Sequence, residues 1–325
     1  MEQITIQSIW QAYERISPYI LETPIVCDEL LATRSNASSI HLKLENLQTT
    51  GSFKLRGATN KLLSLTEEEK KRGVTTYSTG NHGLAVAYMA KKFNIPATIC
   101  ISNRVPKAKV SRLEQLGAKI EKVGLNQDDA EARAYELEEE EGLTVVPPFD
   151  DRHIITGQGT IGIEVMKHVP DIDVVIVPVS GGGIFSGISY VMKKMNPHVK
   201  MIGVSMEKSA VMYESIQAQK IVTLEEEDTY ADSLLGGLGK RNRYTFDMVQ
   251  QYIDEFVLLT EGEIAQAIAY IFDQHKIAVE GASATTVATL LSDKINVKNK
   301  RVVSLITGRN VDASVVMEVM EKYSK

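Results

Sequence analysis

The sequence predicts an α/β protein made of two doubly wound regions, each on a mainly parallel sheet. Three observations carry that expectation. From residue 73 to about 123, apolar strand-like runs alternate with helix-like stretches. Strands alternating with helices imply parallel pairing through right-handed crossovers. A second such region opens at Asp173–Val179, where Asp-Val-Val-Ile-Val-Pro-Val is apolar enough for a strand buried on both faces. Finally, Gly181-Gly182-Gly183 follows that strand directly, at the place where open α/β sheets receive ligands.

In chain order, Ile6, Ile9, Tyr13 and Ile16 recur at helical spacing, so 5–19 reads as a helix with Pro18 near its end. Ile40–Glu45 alternates like a half-buried strand. Residues 56–64 look helical, which puts Lys54 at or just before a helix N-terminus. Val74–Tyr77 is a short strand ending at the polar loop Ser78–Gly83, and Leu84–Lys92 is the helix behind it. Pro96–Ile101 is a buried strand. Val110, Leu113 and Leu116 mark the next helix, closed by Gly117, and Lys119–Val123 is another strand. Asp128–Glu141 is a charged helix whose Glu138–Glu141 run reads as a solvated face. Beyond the glycine cluster come a helix at 185–194, strands at 199–205 and 252–259, a helix at 261–275 and a strand at 302–305. Two α/β regions suggest two domains with a site between them.

Composition narrows the functional classes. The 325 residues are 43% hydrophobic and 24% charged, an ordinary globular make-up with room for sizeable cores. A net charge of −6 argues against a nucleic-acid or anionic-membrane surface and leaves small-molecule chemistry open. Cys27 and Cys100 cannot form a disulfide framework and read as two buried thiols. The six histidines show no i, i+4 pair, so no metal site is expected. Met-Glu-Gln-Ile-Thr lacks the pattern of a signal peptide, and no apolar run reaches the roughly 18 residues of a spanning helix. The expected location is the cytoplasm.

Lys54 lies in Gly51-Ser52-Phe53-Lys54-Leu55-Arg56-Gly57. A single lysine is ordinarily a solvated charge. Its company points elsewhere: a glycine cluster that can cradle a phosphate, a polar loop at Ser78-Thr79-Gly80-Asn81-His82-Gly83, and a hydroxyl at Thr307 after an apolar run. A Schiff-base lysine needs such partners. The cluster Ser180–Gly183 joins a buried strand to a helix, so backbone amides can turn toward an anion, although a plain tight turn fits the same residues. It fails dinucleotide spacing at Ser186. A literal Gly-x-Gly-x-x-Gly at Gly157, Gly159 and Gly162 has no strand before it and no acid about twenty residues on, and reads as helix-packing glycines. Ser78–Gly83 could hold a carboxylate through amides and hydroxyls, and a bland capping loop fits it equally.

Together the motifs Gly-Ser-Phe-Lys-Leu-Arg-Gly-Ala, Ser-Thr-Gly-Asn-His-Gly, Pro-Phe-Asp-Asp, Gly-Gln-Gly-Thr, Ser-Gly-Gly-Gly and Thr-Gly-Arg-Asn resemble the pyridoxal-phosphate-dependent threonine/serine dehydratases, with serine racemase and the hydroxyectoine-utilisation dehydratases as near relatives. The likeness runs from about Ile6 to the C-terminus. It implies a tryptophan-synthase-β-like fold, the second fold type of pyridoxal-phosphate enzymes. A small mobile domain at 49–147 would be inserted into a large cofactor-binding domain formed by 1–48 and 148–325.

The resemblance also implies roles. Lys54 would carry the cofactor as a Schiff base and then act as the base at the α-carbon. Phe53 would pack by the ring, and an ordinary core aromatic fits that position too. Ser180, Gly181, Gly182, Gly183 and Ile184 would hold the phosphate, Asn81 the phenolic oxygen, and Gly236 and Leu238 the ring. Ser78, Thr79, Gly80, His82 and Phe149 would line the substrate, with Asp150 and Asp151 beside them. Thr79 would be the acid or base on the opposite face. Serine racemase has a serine at that position, and the extra methyl of threonine makes racemisation doubtful. Thr307 would meet the ring nitrogen as a neutral hydroxyl. Such a partner leaves the ring a shallower electron sink and favours prompt loss of a β-leaving group. Glu280 would be a buried acid near the ring, or simply structural. Arg309 would be a surface arginine, or a cation near the cofactor or a second carboxylate.

The expected activity is β-elimination of water from L-threonine or L-serine, giving a 2-oxo acid and ammonia. Alternatives within the class are a hydroxyectoine-pathway or 3-hydroxyaspartate dehydratase, or serine racemase. The alternative outside it is a cofactor-free amino-acid-binding protein. A homodimer or homotetramer is expected, with an amino acid as the small-molecule partner. Some relatives bind a divalent cation through an acid at the position that is Ser205 here, and Glu207 is nearby but not aligned with it.

Overall fold

The computed structural model describes residues 3–105, 107–125, 127–239 and 241–323; Met1 and Glu2, which open the N-terminal stretch read above, lie outside it. The chain begins with α1 (Ile6–Ile16), whose N-cap Thr5 and Ser8 form a reciprocal capping pair. β1 (Ile25–Cys27), α2 (Glu29–Arg34) and β2 (Ser39–Leu44) follow, and then α3 (Lys54–Leu63) and α4 (Glu67–Arg72). Next come β3 (Val74–Thr76), α5 (Asn81–Phe93), β4 (Ala97–Ile101), α6 (Lys107–Gln115), β5 (Lys119–Lys122), α7 (Gln127–Glu141) and β6 (Thr144–Val145). The remainder is α8 (Arg152–His168), β7 (Val174–Pro178), α9 (Gly183–Met195), β8 (Lys200–Met206), α10 (Val211–Gln217), α11 (Thr245–Tyr252), β9 (Glu255–Leu259), α12 (Glu261–His275), α13 (Gly281–Leu291), β10 (Arg301–Ile306) and α14 (Ala313–Tyr323).

These strands form two sheets. One has the order β1-β2-β10-β7-β8-β9, parallel throughout except for β1 at its edge. The other has the order β5-β4-β3-β6 and is wholly parallel. Strand alternation splits the large sheet's core in two. Val174 and Ile176 pack with α12 and α13 on one face. Val175 and Val177 pack with α8 and α9 on the other. The small sheet does the same, with Val74 and Ile99 toward α3 and α5, and Cys100 and Val145 toward α7. Covering both faces is why these strands read as continuous apolar runs.

Several local readings change. Tyr252, read as the start of a strand, ends α11, and the strand begins at Glu255. Helix α8 was visible only through its glycines. Those glycines are packing positions, since a Cβ on Gly157 would lie 2.7 Å from the Cα of Gly57. Cys27 is exposed on the edge strand, while Cys100 is buried. None of the described helices is long and apolar enough to cross a membrane.

Behind α3 lies a buried set of charges. Arg56 donates to Glu45 at 2.8 Å and to Glu164 at 2.5 and 2.7 Å, and Lys43 reaches Glu164 at 2.5 Å. All four side chains are fully excluded from solvent. Two cations and two carboxylates balance, so the cluster fastens β2, α3 and α8 together without a stranded charge.

Candidate active site

The glycine turn sits at the carboxyl end of β7. Gly182 adopts φ +85°, a left-handed conformation that a Cβ would strain, and it is the N-cap of α9. No side chain caps that helix end, so its first amides, beginning with Gly183 and the buried Ile184, have no side-chain acceptor. Phe149 lies against the turn: a Cβ on Gly181 would come within 2.2 Å of its ring, and one on Gly183 within 3.0 Å of its Cα. Ser180 is half-buried at the turn's start. This is a helix N-terminus that presents amides to an anion.

Lys54 is the first residue of α3. Its Nζ donates to the carbonyl of Pro148 at 2.6 Å and lies 5.2 Å from the centre of the Phe53 ring. Pro148 adjoins Phe149, so one dipeptide links the lysine to the glycine turn. The side chain is half-buried. Burial pushes its ammonium down to about 8, against the opposing charge of Glu280. The segment is pinned to the end of β10. Phe53 N–H donates to Thr307 O at 3.0 Å, Arg309 N–H to Gly51 O at 2.9 Å, and Ser52 pairs with Gly308.

Loop Ser78–Gly83 runs into α5 with Gly80 as its N-cap. Ser78 and Thr79 are half-buried there, and Gly80 is exposed. A Cβ at Gly83 would fall 1.8 Å from the Ser78 carbonyl, so the loop closes only over glycine. Asn81 donates from Nδ2 to both carboxylate oxygens of Glu280, at 2.9 and 2.8 Å, and accepts from Asn310 at 2.5 Å. Glu280 also accepts from Ser233 Oγ at 2.9 Å and Asn310 N–H at 2.8 Å. Burial pushes its carboxyl above the ordinary range, while these donors favour the charged form.

The His82 imidazole is buried and bonded through Nε2 to Val146 O at 2.9 Å, and among the described residues its Nδ1 has no partner. Burial, and then the Lys54 charge, push it down to about 3, so it is neutral and Nε2 is the donor. Asp150 and Asp151 are also structural. Asp150 accepts the amides of Arg243, Tyr244 and Thr245. Asp151 caps α8 and pairs with Lys61 at 2.6 Å. Arg309 is exposed, and among the described residues nothing bonds its guanidinium. Thr307 is buried, with its Oγ1 3.0 Å from Ser283 Oγ.

A cleft of about 970 Å³ opens beside the glycine turn. Phe149, Gly236 and Leu238 line it on one side, and Tyr77, Glu131 and Tyr135 on the other. Gly236, at φ +117°, has open space where a Cβ would stand. Lys54, Asn81 and Thr307 are not in its walls. Sequence reasoning missed Ser233, Ser283, Asn310, the Pro148 carbonyl and the Arg56 cluster. Only Arg56 left a signal: in a helix, a charge two residues after Lys54 faces away from it.

The site suits pyridoxal phosphate on its own features: an uncapped helix end for the phosphate, a depressed amine beside it, and unpartnered buried hydroxyls at Ser52 and Ser186. The comparisons agree. The chain is 42% identical over 320 residues to a putative threonine dehydratase of Sinorhizobium fredii, covering 98% of this chain and 96% of that one. It is 41% identical to an L-threonine ammonia-lyase of Thermotoga maritima, covering 98% and 79%. The structure of maize serine racemase superposes with a TM-score of 0.91 at 32% identity, covering 99% and 98%. The pattern of the family described as pyridoxal-phosphate dependent enzyme matches residues 16–308, and the chain belongs to that family.

Proposed function

We propose that this enzyme removes water from L-threonine or L-serine and releases a 2-oxo acid and ammonia. The observation that carries the proposal is Lys54. It is an enclosed amine lowered to about 8, held by Pro148 O and joined through Phe149 to the glycine turn. The names of the relatives, threonine dehydratase and L-threonine ammonia-lyase, support the substrate.

When bound, pyridoxal phosphate supplies an aldehyde that joins an amine and a ring that accepts negative charge from the α-carbon. The chain's residues do the rest. The amides of Gly181–Ile184 and the Ser180 hydroxyl hold the phosphate, and Asn81, oriented by Glu280 and Asn310, holds the phenolic oxygen. Ser78, Thr79 and Gly80 orient the substrate carboxylate, and the Thr79 hydroxyl holds a proton on the opposite face. Lys54 Nζ takes the α-proton. Phe149 covers the turn and keeps water from it, while Phe53 packs behind the lysine. Residues 49–147 act as a small domain closing on 1–48 and 148–325. We extend the proposal to a homodimer or homotetramer in the cytoplasm, which light scattering and fractionation test.

A panel of β-hydroxy amino acids, assayed for ammonia and 2-oxo acid, decides the reaction. Chiral analysis of unreacted serine tests the second reading, racemisation, which the likeness to maize serine racemase favours. Release of ammonia from none of the panel would sink the dehydratase proposal.

A further inference from the structure

Ser78, Thr79 and Gly80 are anchored at both ends. After them, Asn81 is bonded to Glu280 beside the large sheet. Before them stands Tyr77, the residue that follows β3, whose buried side chain packs with Cys100, Ala134 and Leu137. The Tyr77 hydroxyl is hydrogen-bonded to the carboxyl group of Glu131 and to the hydroxyl of Tyr135, which lie one turn apart on α7. The two tyrosine rings are 6.3 Å apart. From the opposite wall of the cleft, the segment after Leu238 reaches this group at two points. A Cβ on Gly239 would lie 3.4 Å from Glu131 Oε1, and the Arg241 guanidinium carbon stands 4.0 Å from the centre of the Tyr135 ring.

At that distance the planar cation lies over the ring in van der Waals contact, a placement that suits arginine. Arg241 is otherwise exposed, and among the described residues no carboxylate or carbonyl bonds its guanidinium. The ring is therefore what fixes the side chain. The backbone just beyond it is pinned, because Asp150 accepts the amides of Arg243, Tyr244 and Thr245, and Asp150 adjoins Phe149 at the glycine turn. A cation on a pinned segment of one wall thus rests on a ring of the other. We propose that Arg241 is a positioning residue: by clasping Tyr135 it couples that segment to Tyr77, and so sets Ser78–Gly80 for the substrate's carboxylate. The proposal rests on the reading that places the carboxylate there. It adds a determinant of substrate affinity that touches neither substrate nor cofactor.

The test is titration of holoenzyme with L-alanine, which has no β-leaving group, followed in the visible band, beside hydrogen exchange of amides 77–84. Arg241→Ala is expected to weaken L-alanine about two- to fivefold, the range of one exposed stack. Exchange at 77–84 quickens, while exchange at 181–186 and the Kd for pyridoxal phosphate stay as they were. Tyr135→Phe keeps the ring, and Arg241→Ala retains its effect in that background. Tyr135→Leu removes the ring, and Arg241→Ala then adds nothing. Thermal unfolding of each variant confirms the fold. Unchanged L-alanine affinity in Arg241→Ala overturns the proposal. So does an equal loss in the Tyr135→Leu background, which would mean the guanidinium acts elsewhere. A matching loss of cofactor affinity also overturns it, because Arg241 would then serve the fold of its own segment. If wild-type holoenzyme takes up no L-alanine, the carboxylate reading fails, and exchange at 77–84 alone decides whether Arg241 holds the loop.

Discussion

Asn81 and Glu280 stand 199 residues apart, yet the Asn81 amide donates to both carboxylate oxygens of Glu280. One belongs to the helix behind the small sheet and the other precedes α13 of the large one, so the bond ties the two halves at the site. Glu280→Ala leaves the Asn81 amide, Ser233 and the Asn310 amide without their acceptor. Asn81 and Asn310 are half-buried and Ser233 is exposed, so each lost bond costs about 0.5–1.5 kcal/mol. The expected result is a lower unfolding temperature and weaker cofactor retention, read by calorimetry and cofactor titration. An unchanged Kd for pyridoxal phosphate would show that Asn81 is not oriented through Glu280.

Arg56→Leu should be among the most damaging single changes. It strands Glu45 and Glu164 in a solvent-free interior. Breaking a buried ion cluster from one side costs about 3–5 kcal/mol. Urea unfolding measures it, and a loss under about 1 kcal/mol would mean that water reaches the cluster.

Cofactor uptake by the apoprotein should follow Lys54. With its ammonium lowered to about 8, the free amine grows tenfold per pH unit below that value and levels off above it. The rate at which the visible Schiff-base band appears should follow the same curve, and Lys54→Ala should stay colourless. The sign for stability follows. Unfolded chains keep this proton up to the ordinary 10.5, so between about 8 and 10.5 the unfolded state binds more protons and apoprotein stability gains with pH from this group. A rate flat from pH 6 to 9 would refute the depressed amine.

Gly181→Ala places a methyl 2.2 Å from the Phe149 ring. Overpacking of this kind costs about 1–3 kcal/mol and should displace either the turn or the ring. Cofactor affinity falls, and Phe149→Ala in the same chain recovers part of it. Failure of the double variant to recover any affinity would place the damage in the turn's own backbone.

The sequence carried some of this plainly and hid the rest for physical reasons. Asp173–Val179 announces β7 because both of its faces are covered, and the Lys54 segment reads as a helix start because it is one. Helix α13 gives no such signal. Its residues Gly281-Ala-Ser-Ala-Thr-Thr-Val-Ala are small and buried all round, so no amphipathic period exists to find. Lys43, Glu45, Arg56 and Glu164 each look like a surface charge when taken singly; only folding shows them to be one neutral group. His82 reads as a polar loop residue, and the structure turns it to a backbone carbonyl. Pairings such as Asn81 with Glu280 are long-range and leave no local trace.

The short pairing of residues 51–53 with 307–309 has a bearing on motion. It sews the lysine to the end of an interior strand of the large sheet rather than to the loop it must cooperate with. Lys54 and Thr307 are thereby held at one spacing, whatever the Ser78–Gly83 corner does.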